Sequence, residues 1–290
     1  MQGPYRIFTL FFFFVYSLSS VVTAQTIPIR SGYAPVNGLK MYYEIHGSDS
    51  LAAPLVLIHG GGSTIITSFG RVLDLFADHR TVIAVELQGH GHTPEIDRPE
   101  TFQNDADDVA ALMHFLKVKK ADFFGFSNGG STALQIAIRH PEIVRKLVVA
   151  SAMFKRDGMY SWFWDAMKNT SLDNMPRQLK EAYLAVAPNP NDLVKMFDDD
   201  AKRMQSFQDW PALDIQSILA PTFIIVGDQD VVRPEHAVEM FHLLPHGRLA
   251  ILPGAHGECI GEIVSANRGS ILPRMTAEMI EEFLTTPDSN

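Results

Sequence analysis

Short apolar runs and longer stretches of helical periodicity take turns along most of this chain. Residues 54–58, 81–87, 121–126, 147–152, 221–226 and 248–252 are nearly continuous apolar segments bounded by turn residues, which is how strands buried on both faces read. Between them, apolar side chains recur at helical spacing over residues 67–77, 102–116, 131–140 and 234–244, and a last helix is expected over 275–284. Thr101 is placed to cap the helix that starts at Phe102. Two further apolar segments, 32–36 and 39–46, flank Asn37-Gly38, a strong hairpin signal, so the domain is expected to open with antiparallel strands. Strands alternating with helices predict an α/β fold: a mostly parallel sheet covered by helices on both faces.

The alternation stops between residues 153 and 218. That stretch has no good strand candidate, and its helical patterns are broken at Pro176, Pro188, Pro190 and Pro211. It reads as a helical cap inserted before a late strand, with residues 25–152 and 219–290 forming the two parts of one core. It holds all three tryptophans, Trp162, Trp164 and Trp210, and six of the twelve methionines. Adaptable methionine beside rigid aromatics suits a broad apolar pocket, and Trp162, Trp164, Met153 and Met159 are its candidate lining. The run Asp198-Asp199-Asp200 reads as a solvated helix face, with attraction of a cationic substrate as the alternative if it lines an entrance.

The start of the chain has a different character. Arg6 precedes an apolar stretch that serines interrupt after Tyr16, and Val22-Thr23-Ala24 closes it with small residues. This is the pattern of a signal peptide cut after Ala24, and it predicts a secreted or periplasmic protein without stable membrane association after cleavage. Cys259 is the only cysteine, so no intramolecular disulfide forms, and with no adjacent base it reads as a passive side chain. A net charge of −9 without basic clusters argues against nucleic acid as a partner.

The candidate chemistry centres on Gly125-Phe126-Ser127-Asn128-Gly129, between an apolar strand and a helix. A corner that tight needs small residues two places on either side of the serine, and it presents the hydroxyl at the carboxyl end of the sheet. The Asn128 amide opens the helix at its positive dipole end, where an oxyanion is favoured. A serine hydroxyl is a weak nucleophile and needs a base and a group to orient that base. Asp228 and Asp230 follow one late strand and His256 follows the last. The order Ser127, Asp230, His256 fits a Ser-His-Asp triad on this kind of sheet. Asp230 is preferred because it lies past the turn after Gly227, whereas Asp228 at the strand exit is suited to bonding loop amides.

With these residues the chain resembles the α/β-hydrolase superfamily, in particular its cap-bearing serine esterases and lipases, over about residues 30–285. The resemblance implies His256 as the base, Asp230 as the acid and the backbone amide of Gly61 as an oxyanion donor beside that of Asn128. Because 60–62 are all glycine, Gly62 is an alternative donor. The loop containing His90 resembles the superfamily's polar turn, where this histidine is commonly structural. The segment 258–273 is longer than usual in the family and stands as a candidate wall of the site.

The resemblance implies a carboxylic ester hydrolase acting through an acyl-enzyme on a small-molecule ester or lactone, with bulky apolar ones such as macrolides among the candidates. Two alternatives share the scaffold: a non-hydrolytic ligand-binding protein, and perhydrolase or lyase chemistry at the same serine. Epoxide hydrolase and dehalogenase chemistry would need a carboxylate at position 127. No cofactor is implied, and no histidine pair has the spacing of a metal site, His90 and His92 with Glu86 coming nearest.

Overall fold

The computed structural model describes residues 30–47, 51–267 and 269–287. The expected signal peptide lies outside them. Strands β1 (Arg30–Val36) and β2 (Leu39–His46) form the hairpin, turning through Asn37 and Gly38 at φ of 46° and 85°. Next come β3 (Leu55–Ile58), α1 (Ile65–Phe69), α2 (Leu73–Ala77) and β4 (Val82–Val85). The pairs α3 (Phe102–Phe115) with β5 (Ala121–Phe126) and α4 (Asn128–Arg139) with β6 (Val144–Ala150) follow. Four helices come before the next strand: α5 (Ser161–Lys168), α6 (Arg177–Val186), α7 (Leu193–Ser206) and α8 (Ala212–Gln216). Then β7 (Thr222–Gly227), α9 (Pro234–Leu243), β8 (Gly247–Leu252) and α10 (Leu272–Thr285) complete the described chain.

The strands make one eight-stranded sheet in the order β1-β2-β4-β3-β5-β6-β7-β8. β2 runs antiparallel to its neighbours β1 and β4, and the strands from β4 across to β8 pair in parallel. Consecutive side chains leave a strand on opposite faces, so each parallel strand must supply apolar residues to both. Val56 and Ile58 of β3 join a core with α3 and α4, while Leu55 and Leu57 join a second core with α1, α2 and α10. Each fully buried Val, Leu, Ile or Phe contributes roughly 1.5–3 kcal/mol, and that sum drives both layers together. A third cluster, with Leu179, Tyr183, Leu193 and Met196, lies within the helical insertion.

Two expectations change. The helix over 67–77 is two helices: Gly70 ends α1 by donating to the Ile66 carbonyl, and the chain restarts its helical phase at Leu73. The last helix begins at Leu272 instead of 275, because Pro273 is tolerated in a first turn, where its missing N–H costs nothing. Among the described residues no helix is long and apolar enough to cross a membrane.

Candidate active site

Ser127 stands at the corner between β5 and α4 with φ 55° and ψ −122°, a backbone strain of about 1–3 kcal/mol that the surrounding packing sustains. The packing leaves no room for alternatives. A Cβ at Gly125 would meet the Gly129 carbonyl oxygen at 2.1 Å, and one at Gly129 would meet the Ile58 carbonyl oxygen at 2.1 Å. These two glycines let β3, β5 and α4 close together, and the serine is turned out as a result.

His256 lies in the loop after β8, and its Nε2 is 3.0 Å from Ser127 Oγ. Its ring centroid is 4.9 Å from that of Phe126. Its Nδ1 is 2.7 Å from Asp230 Oδ1, in the turn after β7. Asp230 is itself held on several sides. The Val232 N–H donates to Oδ1 at 3.0 Å and the Ser151 hydroxyl donates to Oδ2 at 2.5 Å. Asp228 instead accepts from the Gly254 N–H at 2.9 Å, tying the turn after β7 to the loop that carries His256.

Burial opposes charge on Asp230, but the charge and hydrogen bond of His256 outweigh it, aided by Ser151 and the Val232 amide, and the carboxyl pKa is lowered. Burial likewise opposes protonation of His256. Asp230, with a smaller contribution from Glu262, reverses this and raises the imidazole pKa. Cys259 is buried nearby, and burial pushes its thiol up to about 12, so it stays protonated.

The glycine loop after β3 forms the opposite wall. His59 is fully buried, and burial with the neighbouring His90 lowers its pKa to about 3. The neutral ring fits its partners: Nδ1 donates to the Gly60 carbonyl at 2.7 Å and Nε2 accepts from the Leu87 N–H at 3.1 Å. The Gly62 N–H is already engaged, pointing at Asp200 Oδ2 at 2.5 Å with His90 Nε2 at 3.1 Å. The amides of Gly61 and Asn128 have no acceptor among the described residues.

Asp200 comes from α7 in the insertion, and it is not part of a solvated face. Its other oxygen accepts from the Asn128 side-chain amide at 3.2 Å, and His90 Nε2 is 3.2 Å from Oδ2. Burial opposes the charge on Asp200, but His90 and Arg203 hold its pKa below the usual carboxylate range. Burial opposes protonation of His90 too, yet Asp200 and Glu100 outweigh it and raise its pKa to about 9. Asp198 of the same acidic run is exposed, and Asp199 pairs with Lys195.

Ser127, Asn128, Gly61 and His256 open into a cavity of about 310 Å³. All six methionines of residues 153–218 line it, Met153 and Met159 among them, together with Phe163 and Phe197. Trp162 and Trp164 do not. Consecutive residues of a helix point about 100° apart, so α5 cannot turn Trp162, Phe163 and Trp164 to one side. Trp162 is 55% exposed. Trp164 donates to the Arg156 carbonyl at 2.7 Å and lies 3.8 Å beneath the Arg156 guanidinium. Trp210 packs against Phe102 and Phe207 in the core.

The segment 258–273 does not border the cavity beyond His256 either. It packs over α1: the Ile263 N–H donates to the Thr67 carbonyl at 2.9 Å, and Arg71 reaches the Asn267 carbonyl at 2.8 Å. Two contributors escaped the sequence reading. Ser151 had only its place after a buried strand as a signal, and Asp200 only its spacing from Arg203.

A sheet of this order, with a serine at the strain point of a strand–helix corner and an acid and a histidine on later loops, defines a hydrolase of the α/β type. Residues 53–193 match the family model described as the alpha/beta hydrolase fold. It is 28% identical over 240 residues to the serine hydrolase BPHL of Homo sapiens, covering 79% of this chain and 80% of that one. Among solved structures it superposes on a hydrolase from Pseudomonas aeruginosa PA01 with a TM-score of 0.69 at 19% identity, over 88% of this chain and 98% of the other. The enol-lactonase of Burkholderia xenovorans LB400 superposes with a TM-score of 0.66 at 20% identity, over 88% and 100%.

Proposed function

We propose that this hydrolase cleaves carboxylic esters or lactones with a bulky apolar portion, using Ser127, His256 and Asp230 as a catalytic triad. The observation that carries the reading is the continuous relay from Ser127 Oγ to His256 at 3.0 Å and on to Asp230 at 2.7 Å, opening into a methionine-lined cavity. Ser127 Oγ attacks the carbonyl carbon as its proton passes to His256 Nε2. Asp230 keeps the imidazole in the productive tautomer and offsets its new charge. The oxyanion is held by the Asn128 amide and by Gly61, the free amide of the glycine loop, since Gly62 already serves Asp200. Collapse returns the proton from His256 to the leaving alcohol, which remains attached if the substrate is a lactone. Water, deprotonated by the same imidazole, then releases the acid and restores Ser127.

The helical insertion acts as a cap whose methionines adapt to the apolar part of the substrate. Similarity to a serine hydrolase and to an enol-lactonase supports this class without choosing a substrate. The test is hydrolysis of p-nitrophenyl esters of increasing acyl length and of a lactone panel by the purified protein and by Ser127→Ala. The variant is expected to keep its fold and only the small residual rate that the remaining site supplies. Retention of more than about a tenth of wild-type kcat would remove Ser127 as nucleophile.

A further inference from the structure

The two amides assigned to the oxyanion lie on different parts of the core, Gly61 in the loop after β3 and Asn128 at the start of α4. One side chain of the helical insertion is tied to both parts. Asp200 of α7 accepts from the Gly62 N–H at 2.5 Å through Oδ2 and from the Asn128 side-chain amide at 3.2 Å through Oδ1. Gly62 adjoins one oxyanion donor, and Asn128 is the other. The carboxylate also packs directly against Gly61, where a Cβ would stand 2.8 Å from Asp200 Oδ2 and 2.5 Å from Asn128 Nδ2.

The glycine loop needs such a tie. Gly60, Gly61 and Gly62 have no side chains to restrict their backbone, and Gly62 sits at φ 62°. From the core, His59 Nδ1 holds the Gly60 carbonyl at 2.7 Å, which fixes one end of the peptide that carries the Gly61 N–H. The N–H of the next peptide, at Gly62, is held by Asp200 with His90 Nε2 beside it at 3.1 Å. An unbalanced carboxylate this close to a developing oxyanion would raise the barrier, but His90 at 3.2 Å and Arg203 at 3.8 Å offset its charge. Both oxygens of Asp200 are thus occupied by the protein, and its influence on the reaction is geometric.

We propose that Asp200 is a positioning residue for the oxyanion hole, fixing the separation of the Gly61 and Asn128 amides, so that the insertion sets the shape of the hole as well as the walls of the cavity. The inference rests on the serine mechanism proposed above. Donors aimed at the oxyanion act on the transition state more than on the bound ester, so loosening them lowers kcat and leaves KM nearly unchanged.

The test compares wild type, Asp200→Ala, Asp200→Asn and Asn128→Ala as full-length proteins, below the unfolding transition of each. The readouts are kcat and KM on a p-nitrophenyl ester that the wild type hydrolyses, and the Kd of phenylboronic acid, whose tetrahedral adduct with a serine presents an oxygen to the hole. Asp200→Ala is expected to lose about ten- to a hundredfold in kcat with KM within about threefold, and to bind the boronate more weakly by a factor similar to the loss in kcat. Asp200→Asn keeps one acceptor oxygen, and Asn128→Ala cuts one of the two ties while leaving its backbone amide, so both are expected to show smaller losses in the same two readouts. A merely structural role lowers the active fraction without changing the boronate Kd, and that result overturns the proposal. So does a kcat of Asp200→Ala equal to or above that of the wild type, or a loss confined to KM. If Asp200→Ala does not fold, the other two variants decide, and wild-type kcat and boronate Kd in both overturn the proposal. Failure of the serine mechanism shows separately, as activity retained by Ser127→Ala.

Discussion

Two aspartates two residues apart in the turn after β7 carry out different tasks. Asp228 ties the turn to the Gly254 amide, whereas Asp230 lies under the imidazole of His256. Asp230→Asn is therefore expected to lower kcat by up to about ten-thousandfold with the fold retained, and Asp228→Asn by far less. Matched assays of the two variants at equal thermal stability check this, and a reversed ranking would transfer the role. The same contact sets a pH dependence. In the proposed mechanism His256 must be neutral to accept the serine proton, and Asp230 with Glu262 raises its pKa above the ordinary 6.5 against the opposing effect of burial. In the wild type, kcat/KM is expected to rise with pH along a limb centred above 6.5, and Glu262→Gln should move that limb to lower pH. A limb unmoved by the substitution would exclude Glu262 as a contributor.

At the scale of elements, α5 is where amphipathic reasoning and the observed packing separate. Its Phe163 and Met167 line the cavity while Trp162 faces solvent. Phe163→Ala is expected to cost about 1–3 kcal/mol more in kcat/KM for bulky esters than for acetates. Trp162→Ala should stay within about 0.5 kcal/mol on both, as a surface substitution does. Measuring both variants on a short and a long p-nitrophenyl ester decides the point; a Trp162 effect as large as that of Phe163 would mean α5 turns its other face to the substrate. The break between α1 and α2 has the same lesson, since the periodicity runs through Gly70 but the helix does not.

On the scale of the whole molecule, the insertion docks on the core through buried charge. Arg203 pairs with Glu100 at 2.7 Å and with Asp105 at 3.1 Å, and Asp200 reaches His90 and the Gly62 amide. Asp200→Asn removes the charge and turns one of the two acceptor oxygens into a donor, leaving part of those donors unpaired, so it is expected to cost about 1–3 kcal/mol of stability. The groups that set His90 are burial and Arg203, which lower its pKa, and Asp200 and Glu100, which raise it to about 9. A raised histidine stabilises fully below its ordinary 6.5 and loses that contribution as pH rises through about 9. A depressed carboxyl stabilises above its ordinary 3.8 and loses the contribution as pH falls through its lowered value. The Tm gap between wild type and Asp200→Asn should therefore be widest between 3.8 and 6.5 and narrow above about 9. A gap that is flat across this range would mean that the contact is not ionic.

The α/β architecture and its parallel sheet were legible in the sequence because continuous apolar runs leave a strand no choice but burial on both faces. The elbow was legible for a related reason: only glycine fits where Gly125 and Gly129 bring backbone against backbone, so the steric demand is written in residue type. The helical character of residues 153–218 could be read as well. Its orientation could not. Three aromatics in succession on α5, and three aspartates in succession on α7, point about 100° apart along each helix, and composition does not say which of them faces inward. Only the docking of the insertion on the core selected Phe163 over the tryptophans and turned Asp200 to the Gly62 amide.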